Sequence, residues 1–286
     1  MKDGLILIDK PLGYSSYDVI RVLKKLLKIK RIGHTGTLDP QAGGLLLILL
    51  NRGTKVASML ESMNKIYEVC MILGCETDTD DLAGRVINRS QHIAEESQIK
   101  EILKIFEGKQ LQIPPKYSAI KIEGERAYDL ANKDIEFSID PREINIEYIK
   151  LDKIKENYIF FTTKVSKGTY IRSLVKDIGR RLGTYATTVS IRRTYIDSFT
   201  VDDAFTLKEI EEMVQKEDLS FIRNVESIFN YPALNLENEE EYIVFKNGQA
   251  FEMGGKDGYY KIYFEEEFKG FGKVSNGILK GYKYFL

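Results

Sequence analysis

Gly33-His34-Thr35-Gly36-Thr37-Leu38-Asp39-Pro40-Gln41-Ala42-Gly43-Gly44 is the stretch around which the rest of the chain is arranged. It contains four glycines, one proline, one of the two histidines of the chain and a single carboxylate. Glycine allows positive φ and close backbone approach, proline fixes its own φ, and a residue before proline is driven out of the helical region. Asp39 is therefore presented from a stiff loop. Taken alone, such a loop fits an Asx-type structural turn equally well.

The flanks of the loop are as distinctive as the loop. On the N-terminal side, Ser15 with Asp18 has the spacing of a helix capping box. Val19, Val22, Leu23, Leu26 and Leu27 then form an apolar stripe at helical spacing. Arg21, Lys24, Lys25, Lys28, Lys30 and Arg31 follow with no acidic residue between Val19 and Leu38. On the C-terminal side, residues 45–50 are wholly apolar and too short for an amphipathic helix, which predicts a strand buried on both faces. Residues 4–9 read as a second short buried strand ended by Lys10-Pro11.

Farther along, Thr54 begins an expected short helix, residues 65–73 form a strand, and residues 97–107 form a capped amphipathic helix. The polar segment 116–142 reads as a mobile cover. Residues 148–151 and 158–165 alternate as a strand pair. Gly168-Thr169-Tyr170 opens a helix that runs to about Leu182, and 187–199 returns to strand chemistry. Helices are expected at 207–214 and 219–229, and Tyr231-Pro232 breaks the chain. From 241 to 286 short strands cut by glycines predict a small β-rich unit. The expected organisation is a domain of residues 1–231 and a smaller one of 232–286.

Composition narrows the function. The chain has 286 residues, 43% hydrophobic and 30% charged, in the range of a globular protein. No run approaches the roughly 18 apolar residues of a membrane helix, and the first apolar run stops short of a signal peptide, so a soluble cytoplasmic protein is expected. Cys70 and Cys75, with only His34 and His92 as further soft donors, make a poor zinc site. Thr77-Asp78-Thr79-Asp80-Asp81 suggests a calcium loop, but Ala83 and Arg89 stand where an EF-hand needs glycine and glutamate. No metal is expected. Net charge is −1, from 42 basic and 43 acidic residues, yet the basic residues collect in 21–31 and 164–193. Two basic segments beside glycine-rich loops point to nucleic acid.

The chain has no Gly-x-Ser-x-Gly elbow, no Walker phosphate loop and no dinucleotide fingerprint. What remains is Asp39, Tyr67 in Lys-Ile-Tyr-Glu, and Arg172 in Ser-Lys-Gly-Thr-Tyr-Ile-Arg-Ser-Leu. In this order, with Asp9-Lys10-Pro11, Thr77-Asp78-Thr79, Pro114-Pro115-x-Tyr117-Ser118-Ala119-x-Lys121 and Ile191-Arg192-Arg193-Thr194, the chain resembles the bacterial tRNA pseudouridine synthase B family over residues 4–200. The tail departs from the pattern: it is short, and acidic at Glu237, Glu239, Glu240 and Glu241.

The resemblance implies an α+β catalytic domain around a mixed, largely antiparallel sheet flanked by helices, with a small β-rich C-terminal domain of the PUA type. It also implies isomerisation of uridine 55 in the T loop of tRNA without cofactor or obligatory protein partner, by a monomer. Asp39 would attack the sugar or remove a sugar proton, and Arg172 would hold its charge in place. Tyr67 would stack on the base, and His34 would enter the RNA loop. Lys10, Lys65, Tyr170 and Ile191 would complete the substrate site, and Lys24, Lys28, Lys30, Arg31, Arg192 and Arg193 would meet the RNA backbone. A tRNA-folding chaperone using the same surface and a guide-RNA-dependent synthase are the alternatives.

Overall fold

The computed structural model describes residues 3–92, 94–133 and 135–286. Strand β1 (Gly4–Lys10) leads into helix α1 (Ser16–Leu27), whose Ser15 and Asp18 form the expected reciprocal capping box. Lys28 then turns the chain in the left-handed region, at φ 53°. A strand that the glycine-rich sequence does not announce, β2 (Ile32–Thr35), runs into the loop, and β3 (Ala42–Leu50) runs out of it. Asp39 thus lies at the turn between two strands paired to each other, His34 opposite Ile48.

The apolar run in β3 is buried throughout and sorts itself by strand periodicity. Leu46, Ile48 and Leu50 join a core with α1, while Leu45, Leu47 and Leu49 join a second core on the other face. Each such leucine contributes about 1.5–3 kcal/mol by leaving water, so the strand holds both layers of the fold together.

After β3 the chain makes a 3-10 turn at Asn51–Val56 before α2 (Ala57–Glu61), so the helix expected from Thr54 starts three residues later. Then come β4 (Lys65–Leu73), a two-stranded ribbon of β5 (Cys75–Thr77) and β6 (Val86–Arg89), and α3 (Glu96–Ile105). The cap of α3 is Glu95 in a reciprocal pair with Gln98. Next are β7 (Gly108–Gln112), the small ribbon β8 (Lys121–Ile122) and β9 (Glu125–Arg126), and α4 (Ala127–Asn132). The long strand β10 (Arg142–Lys155) pairs with β11 (Tyr158–Val165), and α5 (Ile171–Arg181) precedes β12 (Ala186–Ile196).

The main sheet runs β1-β3-β12-β4-β11-β10-β7, with β2 on β3 and the short β13 (Phe199–Thr200) on β12. Among the described residues its only parallel pairing of strands is β3 with β12, so the sheet is mixed and largely antiparallel. That parallel contact matters for the site, since it places Ile191 beside Ala42 and Arg193 beside Gly44.

Helix α6 (Leu207–Gln215) forms as expected, whereas 219–229 is not a helix. Arg223 instead exchanges two backbone hydrogen bonds of 2.9 Å with Leu5. Phe221 packs in the first core, and Val225, Ile228 and Phe229 pack in the second. One helical face cannot serve cores on opposite sides of a sheet, so only a 3-10 turn at Val225–Ser227 survives.

The C-terminal part carries a second sheet with its own small core around Phe245, Ile262 and Leu279. A helix at Glu239–Lys246, where short strands are expected from 241 on, covers it, with Asn238 as N-cap. Phe271 and Phe285 extend from this sheet into the second core. Arg52 and Lys55 donate to the carbonyls of Phe285 and Tyr284, which fixes the chain end.

Candidate active site

The loop that carries Asp39 is braced on both sides of the aspartate. The hydroxyl of Ser16, buried in the first turn of α1, accepts from the Leu38 amide at 2.9 Å and donates to the Leu38 carbonyl at 3.0 Å. The Gly13 amide donates to the Pro40 carbonyl at 2.8 Å, and the Ala42 amide closes back on the Asp39 carbonyl at 3.0 Å. Satisfied backbone groups on each side leave the carboxylate little freedom.

Arg172, in the first turn of α5, reaches it there. Its Nε donates to Asp39 Oδ2 at 2.8 Å, its Nη1 to the Thr79 carbonyl at 3.0 Å and its Nη2 to the Tyr117 carbonyl at 2.9 Å. The guanidinium joins the catalytic-loop candidate, the aspartate-rich loop and the 116–142 segment at one point. The planar fork of arginine suits such a three-way junction in a way an ammonium cannot. Gln112 of β7 holds the backbone of Tyr170 just before α5, with bonds of 2.8 and 3.1 Å.

Asp39 and Arg172 open onto a cavity of about 190 Å³, also lined by Ala42, Asp81, Leu82 and Ile191. Its size suits one ring system and not a folded RNA. A larger cleft of about 1000 Å³ shares Ser190 and Ile191 with it and reaches Lys10 and Arg192, but Asp39 does not line that cleft.

Tyr67 does not line the small cavity. It is buried on β4 opposite Arg193 of β12, and its hydroxyl accepts from Arg193 Nη1 at a long 3.4 Å. The guanidinium carbon stands 6.0 Å from the Tyr67 ring centre. Arg193 also donates from Nε to the Leu45 carbonyl at 2.7 Å and from Nη2 to the Gly36 carbonyl at 2.8 Å. Tyr67 is therefore tied to the Asp39 loop through this arginine.

That corrects the expectation for Arg193 as a backbone-binding cation. It is 1% exposed, because strand alternation turns it to the same face as Ile191 and sends Arg192 outward. Arg192 is exposed, with its guanidinium held by both oxygens of Asp9 at 3.1 and 2.8 Å. Lys10 and Lys65, expected at the substrate, are also buried. Lys10 donates to the Pro11 and Tyr14 carbonyls, and Lys65 to those of Glu61 and Met63, so both ammonium groups serve local backbone. Lys24, Lys28, Lys30 and Arg31 do remain exposed, along and just beyond α1.

The buried cations set the electrostatics. Burial lowers the pKa of Lys10 to about 8, with Arg193 adding to the fall and Asp39 opposing it. Burial and then Arg193 lower Lys65 to about 8 as well. His34 is pushed down by burial and next by Arg193, which favours the neutral ring. Its Nδ1 finds no hydrogen-bond partner among the described residues. The Tyr170 hydroxyl is pushed up, mainly by burial.

The sequence model of the TruB family pseudouridylate synthase N-terminal domain matches residues 24–171, and that of the tRNA pseudouridylate synthase B C-terminal domain matches residues 172–230. A tRNA pseudouridine synthase B of Fusobacterium nucleatum is 44% identical, covering 99% of this chain and all of the relative.

The chain belongs to the TruB family.

A second TruB-family relative, the tRNA pseudouridine synthase B of Clostridium tetani, is 38% identical over 95% of each chain. Among solved structures, a chain of a Cbf5-Nop10-Gar1 complex has the same fold, with a TM-score of 0.74 at 24% identity over 99% of this chain and 85% of that one. Within the TruB-family framework, sequence reasoning missed the cavity walls supplied by Asp81, Leu82 and Ala83 and by Thr188, Val189 and Ser190. Thr77-Asp78-Thr79 was visible as a motif, but nothing local says that the loop after it folds over Asp39. The inward turn of Arg193 was readable in principle, from its two-residue spacing to Ile191.

Proposed function

We propose that this chain converts uridine to pseudouridine at position 55 in the T loop of tRNA, with Asp39 as the reacting carboxylate. The observation that carries the reading is the Arg172-to-Asp39 hydrogen bond at the mouth of a ring-sized cavity, in a chain of the TruB family. The reaction breaks the bond from N1 to C1′ of the ribose, turns the uracil, and joins C5 to C1′. A proton leaves C5 and one is gained at N1, so nothing is oxidised or reduced. Asp39 either attacks C1′ or removes a sugar proton to give a glycal; its position against Arg172 serves both.

The target uridine must leave its stack to reach the cavity, at a cost of a few kcal/mol. His34, on the strand entering the loop and mostly neutral, is suited to occupy the RNA loop. Tyr67, which lies off the cavity wall and is tied to the Asp39 loop by Arg193, is assigned to the base by the family order of its motif; Ile191 is an apolar wall, and Tyr170 stands beside the entrance to α5. The exposed Lys24, Lys28, Lys30 and Arg31 meet phosphates, with Arg192 contributing what Asp9 leaves uncompensated. We assign RNA covering to 116–142 and a supporting RNA contact to 232–286. The chain acts as a monomer in the cytoplasm on the T arm of tRNA, and needs no protein partner.

The test is incubation of the pure chain with an unmodified T-arm hairpin, without guide RNA, followed by mapping of pseudouridine. Wild type is expected to modify the T-loop uridine, while Asp39→Asn binds the hairpin and forms no product. Product from Asp39→Asn at a rate comparable to wild type would overturn the assignment of Asp39. Restoration of a tRNA-folding defect by a wild type that makes no product would favour the chaperone reading.

A further inference from the structure

Helix α5 presents three cations at four-residue spacing, Arg172, Lys176 and Arg180, on one face. Each is bonded to the segment of residues 76–80. Arg172 donates to the Thr79 carbonyl at 3.0 Å, Lys176 to Asp80 Oδ2 at 2.8 Å, and Arg180 to both oxygens of Glu76 at 2.9 and 2.7 Å. The acidic partners lie inside the protein, with side-chain exposures of 8% for Asp80 and 1% for Glu76. The middle rung is the one that touches three elements. Asp80 sits in the left-handed region at φ 63°, its amide donates to the Thr77 carbonyl, and its carbonyl accepts from Thr188 of β12 at 3.1 Å. Those same elements supply the walls around Asp39: Asp81 and Leu82 after the turn, Arg172 from α5, and Thr188 with Ile191 from β12.

We infer that Asp80 and Lys176 are positioning residues, whose ion pair locks the 77–81 turn against α5 and so sets the guanidinium of Arg172 against Asp39. A buried carboxylate in a left-handed turn is expensive unless a cation and backbone donors meet it, so the turn and the pair depend on each other. Burial raises the Asp80 carboxyl, and the Lys176 ammonium opposes this most strongly, ahead of Arg172. Without Lys176 the carboxyl loses its nearest cation, and the turn loses its reason to hold that shape. Arg172, which also approaches Asp81 at 4.0 Å, and Glu76, Asp177 and Arg180 are further charged groups near this rung.

The inference rests on the proposed isomerisation only for its activity readout. In the full chain, Lys176→Met is expected to lower the single-turnover rate on an unmodified T-arm hairpin by about tenfold or more, since small misplacements of a catalytic group are costly. Hairpin affinity should stay within about twofold. Lys176→Arg, which keeps the charge and can reach Asp80, should recover most of the rate. A second readout needs no turnover: in 15N-labelled protein the Arg172 Nε–H resonance should be slow to exchange in wild type and Lys176→Arg, and fast in Lys176→Met. An unchanged rate and unchanged Arg172 exchange in folded Lys176→Met would overturn the inference, as would Lys176→Arg failing as badly as Lys176→Met. A wild-type chain that made no pseudouridine would sink the activity reading, and the Arg172 exchange would still decide this one. If Lys176→Met does not fold, Asp80→Asn is compared by the same exchange measurement, and protection equal to wild type overturns the inference.

Discussion

Arg172 and Asp39 are joined by a 2.8 Å hydrogen bond between a cation that is 6% exposed and a carboxylate that is 40% exposed. The asymmetry suits a reacting group: the partner is fixed inside the protein, and the acid faces the space where substrate would lie. An arginine buried on three acceptors cannot follow the carboxylate if it moves, so Asp39 is held in one place.

Arg172→Lys should therefore be a severe change despite the conserved charge. One ammonium cannot bond Asp39 and the Thr79 and Tyr117 carbonyls in the same geometry. We expect pseudouridine formation to fall about a hundredfold, with faster proteolytic cutting in 116–142 as the Tyr117 anchor loosens. Single-turnover kinetics and limited proteolysis check the two halves separately.

Ser16→Ala removes both hydrogen bonds that hold the Leu38 backbone. Leaving a buried amide and carbonyl unpaired costs about 1–3 kcal/mol each at most, and some of it is recovered by relaxation of the loop. Denaturant unfolding should show a loss of about 2 kcal/mol, with a rate loss larger than any change in hairpin affinity, since the residue is buried and positions Asp39.

Gly44→Ala tests the contact between β3 and β12. Gly44 has φ +97°, and a Cβ there would lie 2.3 Å from the Arg193 carbonyl oxygen. Both backbone strain and overlap oppose the substitution, so a loss of about 3 kcal/mol is expected in a thermal or denaturant melt. A stability within 0.5 kcal/mol of wild type, roughly the range of an ordinary surface change, would contradict the packing described for Arg193.

Lys10 gives a pH signature. Its folded pKa is lowered to about 8, so below that value it is protonated in both states and weighs against folding. As pH rises from about 8 toward the unfolded value near 10.4, the folded state releases the proton and the unfolded state keeps it. Stability should rise across that window by on the order of 3 kcal/mol from this group. Lys65, lowered for the same main reason, adds in the same direction. Unfolding measured between pH 7.5 and about 9.5 should show a positive slope that Lys10→Met reduces.

Much of the site was legible in residues 33–44 because its constraints are local. Glycines, a pre-proline aspartate and a capped basic helix act over a few residues, and they announce a presented carboxylate before any folding. The strand in β3 was legible for the same reason, since an unbroken apolar run has only buried solutions. Residues 219–229 and the strand β2 were not. Their conformation is settled by which core each side chain enters and by pairing with β1 and β3, contacts that neighbouring residues do not encode.

The sequence by itself determined that Asp39 is displayed, that cations precede it along α1, and that Arg172 and Tyr67 stand in the order shared with the TruB family. Only the tertiary structure decided which cations face inward. Arg192 and Arg193 are neighbours in sequence and identical in type, yet one is exposed against Asp9 and the other is buried between Leu45, Gly36 and Tyr67. The parallel register of β12 on β3 makes that choice, because it brings the Leu45 and Gly36 carbonyls within reach of one guanidinium and leaves the preceding residue on the opposite face.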